Sequence, residues 1–282
     1  MVKVIETLDA ELQNKLSKLE SYIKDLGSLA VGFSGGVDSS FLLAVASQVL
    51  GDKVIAVTGA DASVPERELK EAKAFCKERG IRHIVCTVDP LKEEGYRHNS
   101  PDRCYFCKHG IFTEVKKIAE ENGIEYMAEG SNMDDIGDYR PGLKAAAELS
   151  VKSPLRECGL YKSDIRMISK AMGLSTWSKP AYACLASRFV YGEEITEEKL
   201  RMIDEAEQFL IENGFLEERV RMHGKMARIE VPAKDIVRLA EDTIREKVYE
   251  KFKKIGFLFV TLDLKGYRLG SMNATLQAEA GK

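Results

Sequence analysis

Apolar residues recur at helical spacing near the start of the chain. Leu12, Leu16, Leu19, Ile23 and Leu26 fall on one face of a helix over about residues 9–26. A continuous apolar run, Leu29 to Phe33, follows and breaks at Ser34-Gly35-Gly36. A short run bounded by glycine predicts a buried strand. Phe41 to Leu50 then predicts a buried helix, Val54 to Val57 a second strand, residues 64–79 a charged helix, and Ile84 to Val88 a third strand. Residues 108–121 predict a further helix and Tyr126 to Ala128 a fourth strand. This alternation predicts an α/β fold, a doubly wound parallel sheet with helices on both faces. Ligands of such sheets bind beyond the carboxyl ends of the strands, where the strand order reverses.

From about residue 190 the pattern changes. A long charged helix is predicted over about 196–213, followed by strand character at Arg219 to Met222 and Ala227 to Val231. A helical stretch over 234–255 and an apolar run from Phe257 to Leu264 complete the chain. The reading is two domains, 1–190 and a smaller C-terminal α+β domain over 191–282.

Composition narrows the class. Of 282 residues, 44% are hydrophobic and 31% charged, which fits a folded globular protein rather than a disordered one. Lys plus Arg number 42 and Asp plus Glu 45, a net charge of −3, which argues against a surface built to grip nucleic acid. The first residues lack the apolar core of a signal peptide, and no apolar run is long enough to cross a bilayer. A cytoplasmic protein without a membrane partner is expected. In a reducing compartment the six cysteines (76, 86, 104, 107, 158 and 184) are thiols, metal ligands or catalysts before they are disulfides.

Ser34-Gly35-Gly36-Val37-Asp38-Ser39 lies between a predicted strand and a predicted helix. Two glycines permit a tight turn and close backbone approach to a ligand. Amides at the helix start face an anion with the helix dipole behind them. Ser34 and Ser39 add hydroxyls. Asp38 would repel a phosphate unless Mg²⁺ stood between them. No lysine follows the second glycine, so this is not the common P-loop. Gly130, Ser131, Asn132, Asp134 and Asp135 follow the fourth strand, with Asp138 to Gly142 next. Both segments fall where a nucleotide would meet strand ends, although aspartates there also serve as helix caps.

Cys104-Tyr105-Phe106-Cys107-Lys108 places two thiols one helical turn apart, and Cys184 stands in a second loop ahead of Arg188. Four readings remain open from the residues: a redox dithiol, a zinc site completed by a histidine and Cys184, three legs of an iron–sulfur cluster, or Cys184 as a sulfur-bearing nucleophile. Cys76 and Cys86 read as core residues.

The Ser34–Ser39 loop resembles the PP-loop of ATP pyrophosphatases. The resemblance implies cleavage of ATP between its α and β phosphates, AMP transfer to a substrate oxygen, and departure of pyrophosphate with Mg²⁺. The order of blocks along nearly the whole chain resembles the LarE family of ATP-dependent sulfur transferases in nickel-pincer cofactor synthesis. These blocks are Ser34 to Ser39, Cys104 to Lys108, Asp138 to Lys144, Cys184 to Gly192, Arg219 to Pro232, and Val260 to Asn273.

That resemblance implies a small nucleotide-like substrate, pyridinium-3,5-biscarboxylic acid mononucleotide, adenylylated on a carboxylate and converted to a thiocarboxylate. It implies ATP held by Ser34, Gly35, Gly36, Asp38, Ser39, Gly130 and Asn132, with Asp38 and Cys184 catalytic. It also implies a [4Fe-4S] cluster on Cys104, Cys107 and Cys184, fed by sulfide or another sulfur donor, with a sacrificial Cys184 as the other branch of the family. Substrate phosphate and carboxylate fall to Arg188, Arg219 and Arg221, since arginine grips both groups bidentately. Salt bridging with the acidic helix near 193–207 is the plainer role for those arginines. A homo-oligomer is implied too. Val190 stands where the family often has proline. Competing readings are a tRNA thiolation enzyme, an ammonia-using PP-loop synthetase, and a non-catalytic nucleotide sensor.

Overall fold

The structure, a computed structural model, describes residues 8–136, 141–180 and 184–268. The chain divides into two compact units, Met1–Pro90 with Cys104–Tyr182, and Leu91–Arg103 with Ala183–Lys282.

The first unit opens with helix α1 (Ala10–Leu26), capped by the Asp9 carboxylate accepting from Leu12 N at 2.9 Å. Strand β1 (Leu29–Gly32) leads through the glycine loop into α2 (Val37–Leu50). Then come β2 (Val54–Ala60), α3 (Glu66–Glu78), β3 (Arg82–Thr87), α4 (Arg103–Glu121), β4 (Tyr126–Ala128), α5 (Pro141–Glu148) and α6 (Lys162–Ala171). The four strands run parallel in the order β3-β2-β1-β4.

Alternate strand residues face opposite ways, and each face is covered by helices. Leu29, Val31, Val54 and Ala56 join α1, α2 and α3 in one core, through residues such as Leu19, Phe41 and Phe75. Ala30, Ile55, Val57 and Met127 join α4 and α5 in the other, with Phe112, Val115 and Ala146. The expected doubly wound sheet is present. Its order reverses at β1, so the loops after β1 and β4 are neighbours at the switch point.

The second unit holds α7 (Glu197–Glu212), β5 (Arg219–His223), β6 (Met226–Glu230), α8 (Ile236–Ala240), α9 (Asp242–Ile255) and β7 (Phe259–Leu262). The strands form a small sheet in the order β5-β6-β7, antiparallel then parallel. The expected single helix over 234–255 is two helices, because Glu241 is extended at φ −59° and ψ 138°. Residues 91–103 are bonded into this unit. Asn99, fully buried at φ 49°, donates from Nδ2 to Val190 O at 2.6 Å, and Ile195 N donates to Arg97 O at 2.8 Å. Asparagine tolerates that left-handed conformation better than most residues.

Candidate functional site

The loop after β1 has the shape its sequence requires. Gly35 adopts φ 71°, and a Cβ there would meet Ala72 Cβ of α3 at 3.3 Å. Gly36 caps α2 with no side-chain bond of its own. The Ser34 and Ser39 hydroxyls are 3.1 Å apart at the loop's mouth. Ser34 N to Ser39 Oγ and Gly36 N to Ser34 Oγ are both long, at 3.4 Å. These amides are weakly engaged, as donors waiting for an anion would be.

Gly130 packs directly on this loop. A Cβ at Gly130 would come within 2.9 Å of Ser39 N and 3.2 Å of the Asp38 carbonyl carbon. Its absence lets the segment after β4 approach the start of α2. Asn132 accepts from Asp134 N at 2.9 Å, and Asp135 accepts from Asn132 N at 3.0 Å, a reciprocal cap on the turn Met133–Asp135. The Asn132 carboxamide oxygen is thus engaged inside its own loop. Asp134 accepts the backbone amide of Lys162 at 2.7 Å and fixes the start of α6. The Lys162 ammonium then reaches Asp38 Oδ2.

Asp38 has two unlike oxygens. Oδ2 receives Lys162, whereas Oδ1 is buried with no hydrogen-bond partner among the described residues. Burial raises the Asp38 carboxyl above the usual aspartate range, and Lys162 opposes that without overcoming it. A buried carboxylate oxygen lacking a donor fits a Mg²⁺ ligand, since oxygen is what that ion takes.

A second lysine approaches from behind. Lys179 Nζ donates to Gly35 O at 3.2 Å and pairs with Glu68 at 2.8 Å and Glu71 at 2.6 Å. Neither Lys162 nor Lys179 was expected from the sequence. Their partners lie 124 and 144 residues away, and the only local signal is the capped start of α6. Glu129, just after β4, is buried and accepts from Ser131 Oγ and Ser153 Oγ, each at 2.8 Å, and from Lys108 Nζ at 3.5 Å.

All six cysteines are unbridged. Cys104, exposed, and Cys107, half-buried, occupy the first turn of α4, in the first unit. Cys184 is exposed and precedes the single turn Leu185–Arg188 of the second. The thiol chemistry fits an iron–sulfur cluster, but among the described residues no three His, Cys, Asp or Glu side chains gather into a metal-holding group. Arg103, immediately before Cys104, donates to Ala186 O at 3.1 Å and to the Asn99 side chain.

The arginines are buried. Arg188, fully enclosed, donates to Glu207 from Nε at 2.8 Å and Nη2 at 2.9 Å, and from Nη1 to Ser187 Oγ at 2.9 Å and Cys184 O at 3.3 Å. Glu207 also accepts the Val220 amide of β5 at 2.9 Å. Burial alone would raise the Glu207 carboxyl; Arg188, with the Val220 amide and Arg219, outweighs it and holds the group below the usual range. Arg221 pairs with Glu230 at 2.9 Å and donates to Ser187 O at 3.1 Å. Arg219 donates to Glu218 O and lies over the Tyr267 ring. The expected bridging to the acidic helix is made by Arg188 as an enclosed pair, not a surface one, whereas Arg221 takes Glu230 of β6. Asp138 to Arg140 of the expected nucleotide segment, and residues 269–273 of the final block, lie outside the described residues.

Among the described residues no helix is long and apolar enough to cross a membrane. The NAD synthase family profile matches residues 5–118, the segment that carries the loop. A pyridinium-3,5-bisthiocarboxylic acid mononucleotide synthase of Lactiplantibacillus plantarum is 36% identical over 269 residues, covering 95% of this chain and 96% of that protein. The uncharacterized protein slr1717 of Synechocystis is 40% identical over 265 residues, 94% of this chain and 99% of the relative. The uncharacterized protein MJ0830 of Methanocaldococcus jannaschii is 30% identical over 257 residues, 90% and 97% respectively.

Proposed function

The chain belongs to the LarE family of PP-loop, ATP-dependent sulfur transferases, and from that premise we propose that it makes a thiocarboxylate from a carboxylate of pyridinium-3,5-biscarboxylic acid mononucleotide. The observation that carries the reading is the extent of the match to the L. plantarum synthase. It runs over 96% of that protein and 95% of this chain, well past the segment 5–118 that matches the NAD synthase profile and into the second unit.

The chemistry follows from the residue types. A carboxylate is a poor electrophile and its adenylate a good one. A substrate carboxylate oxygen attacks the α-phosphorus of ATP, the bond to the bridging oxygen breaks, and pyrophosphate leaves. A sulfur nucleophile then attacks the acyl carbon, and AMP departs with the original carboxylate oxygen. The loop amides from Ser34 to Ser39 and the two hydroxyls receive the phosphate oxygens. Lys162 supplies the cation that a lysine inside a common P-loop would supply. Mg²⁺, held by Asp38 through Oδ1, would neutralise the charge that develops on pyrophosphate.

Sulfur delivery is assigned to Cys104, Cys107 and Cys184, which would hold a [4Fe-4S] cluster, a group that would supply sulfide as a soft nucleophile when bound. This assignment rests on the family's three-cysteine branch and on the presence of all three thiols. Arg219 and Arg221 are assigned to the substrate's anionic groups, and the small sheet that carries them to a substrate-binding domain over 191–282. The test is iron and acid-labile sulfide on anaerobically prepared protein, together with mass analysis of the product. About four irons per chain, lost in Cys104→Ser, Cys107→Ser and Cys184→Ser, is the expected result. Iron-free protein that still yields thiocarboxylate, with Cys184 lighter by about 34 Da after turnover, would overturn the cluster in favour of a sacrificial thiol.

A further inference from the structure

The glycine loop is held from behind at two alternate peptides. Phe33 O accepts the Thr58 hydroxyl at 2.6 Å, and Gly35 O accepts Lys179 Nζ at 3.2 Å. No peptide bond among the described residues is cis. In a trans peptide the carbonyl and the following N–H point in opposite directions. Fixing Phe33 O and Gly35 O therefore turns the N–H groups of Ser34 and Gly36 the other way. Those are the amides that make only 3.4 Å contacts with the loop hydroxyls.

Glycine needs such restraint. Gly35 and Gly36 carry no side chain, and the peptide joining them flips at low steric cost unless something holds it. Lys179 is itself well held. It is 11% exposed and paired with Glu68 and Glu71 of α3. Its own carbonyl accepts Arg166 Nη2 at 2.9 Å, while Arg166 Nη1 bonds Trp177 O at 2.6 Å. Pro180 follows and keeps Lys179 extended, at φ −57° and ψ 131°. The strap 175–180 is thus fastened to α6 at one side and to α3 at the other.

We propose that Lys179 is a positioning residue: it clamps the Gly35–Gly36 peptide so that the Gly36 amide is preset toward the phosphates of ATP, without itself touching the nucleotide. The Thr58 hydroxyl does the same for the Ser34 amide, with His83 Nε2 behind it at 2.8 Å. Since Thr58 gives its proton to Phe33 O, His83 must be the donor in that pair. A preset amide costs no reorganisation when charge develops, which is what electrostatic catalysis requires. The inference rests on the nucleotide reading of the loop and assigns the residues that shape it.

The experiment titrates the full-length protein with Mg²⁺–pyrophosphate and with adenosine, comparing the unaltered chain, Lys179→Met and Lys179→Arg. Lys179→Met is expected to weaken pyrophosphate binding at least tenfold and leave adenosine binding within twofold. Lys179→Arg, which keeps a cationic donor, is expected to recover pyrophosphate binding to within about threefold. Should Lys179→Met not fold, Thr58→Val tests the same geometry at the other peptide, with the same selective loss. Pyrophosphate binding unchanged in the folded variants, or lost in step with adenosine, would overturn the clamp. Failure of the unaltered protein to bind pyrophosphate would overturn the nucleotide reading and the clamp with it.

Discussion

Glu207 is the most informative position to perturb. Its carboxylate is wholly enclosed and accepts from Arg188 Nε, Arg188 Nη2 and the Val220 amide. It therefore ties the turn after Cys184 to the strand that bears Arg219 and Arg221. Removing one member of a buried ion pair strands the other charge, which costs about 3–5 kcal/mol. Glu207→Gln keeps an acceptor for Val220 and belongs at the lower end; Glu207→Ala adds a cavity and belongs at the upper end. Arg188→Met alone strands Glu207 and falls in the same range.

Replacing both by apolar residues, Arg188→Met with Glu207→Leu, removes both charges. It leaves mainly the Val220 amide without its acceptor, at about 1–3 kcal/mol. Urea unfolding of the unaltered protein, Arg188→Met, Glu207→Leu and the double variant gives the double-mutant cycle, with an expected coupling of about 3 kcal/mol or more. Thiocarboxylate formation by the folded double variant is expected to be lost, because the Cys184 carbonyl also loses its Arg188 donor. Additive single effects below about 1 kcal/mol each would refute the reasoning and return Arg188 to the role of a substrate grip.

Three further outcomes are expected. Burial, with Lys73 nearby, holds His83 below the usual imidazole range, and burial with Arg228 does the same for His223. The unfolded chain then binds more protons than the folded one, so stability falls as pH drops below about 6.5. His83→Gln, which keeps a donor toward Thr58, should flatten that slope in urea unfolding between pH 7 and 5; an unchanged slope would refute it. In iron-free protein under native conditions a disulfide-exchange reagent should label Cys104 and Cys184 quickly, and Cys76 and Cys158 only after denaturation. Burial pushes the Cys76 thiol up to about 12 and raises Cys158 as well, so rapid native labelling of either would contradict the packing. Gly130→Ala should raise the KM for ATP at least tenfold, because the added methyl meets Ser39 N at 2.9 Å; an unchanged KM would show that the loop yields freely.

The first unit was legible because its strands are short apolar runs set off by glycine and charge. Tyr126–Ala128 matches the expectation residue for residue, and β1, β2 and β3 extend or trim theirs by a few positions. Helix α4 begins at Arg103, five residues before the stretch 108–121 and where Pro101 and Asp102, just ahead of the two thiols, signal a helix start. The break at Glu241 was hidden because charged residues on both sides of it keep a helical rhythm. Glycines and serines of the loop announce themselves by type and spacing. Lys162, Lys179, Glu207 and Glu230 do not, since each is an ordinary charged residue on a helix, strap or strand until the fold supplies its partner. Pairing at such sequence separations is a tertiary property, and local pattern carries no trace of it.

The distribution of charge around the loop explains how the proposed phosphate site would tolerate an aspartate. A buried carboxylate with no cation would be costly, and Asp38 is already partnered by Lys162 through Oδ2 before any nucleotide arrives. The oxygen that Lys162 leaves alone is the one with no donor. A metal taken up through Oδ1 therefore need not displace the lysine, and the two cations would face the departing pyrophosphate together. A common P-loop carries its lysine within the loop itself. Here the charge comes from the first residue of α6, set in place by Asp134, and the loop's rear is braced by Lys179. In the proposed site the Ser34–Ser39 segment supplies the amides, while the segment after β4, α6 and the 175–180 strap hold its direction and compensate the charge of Asp38.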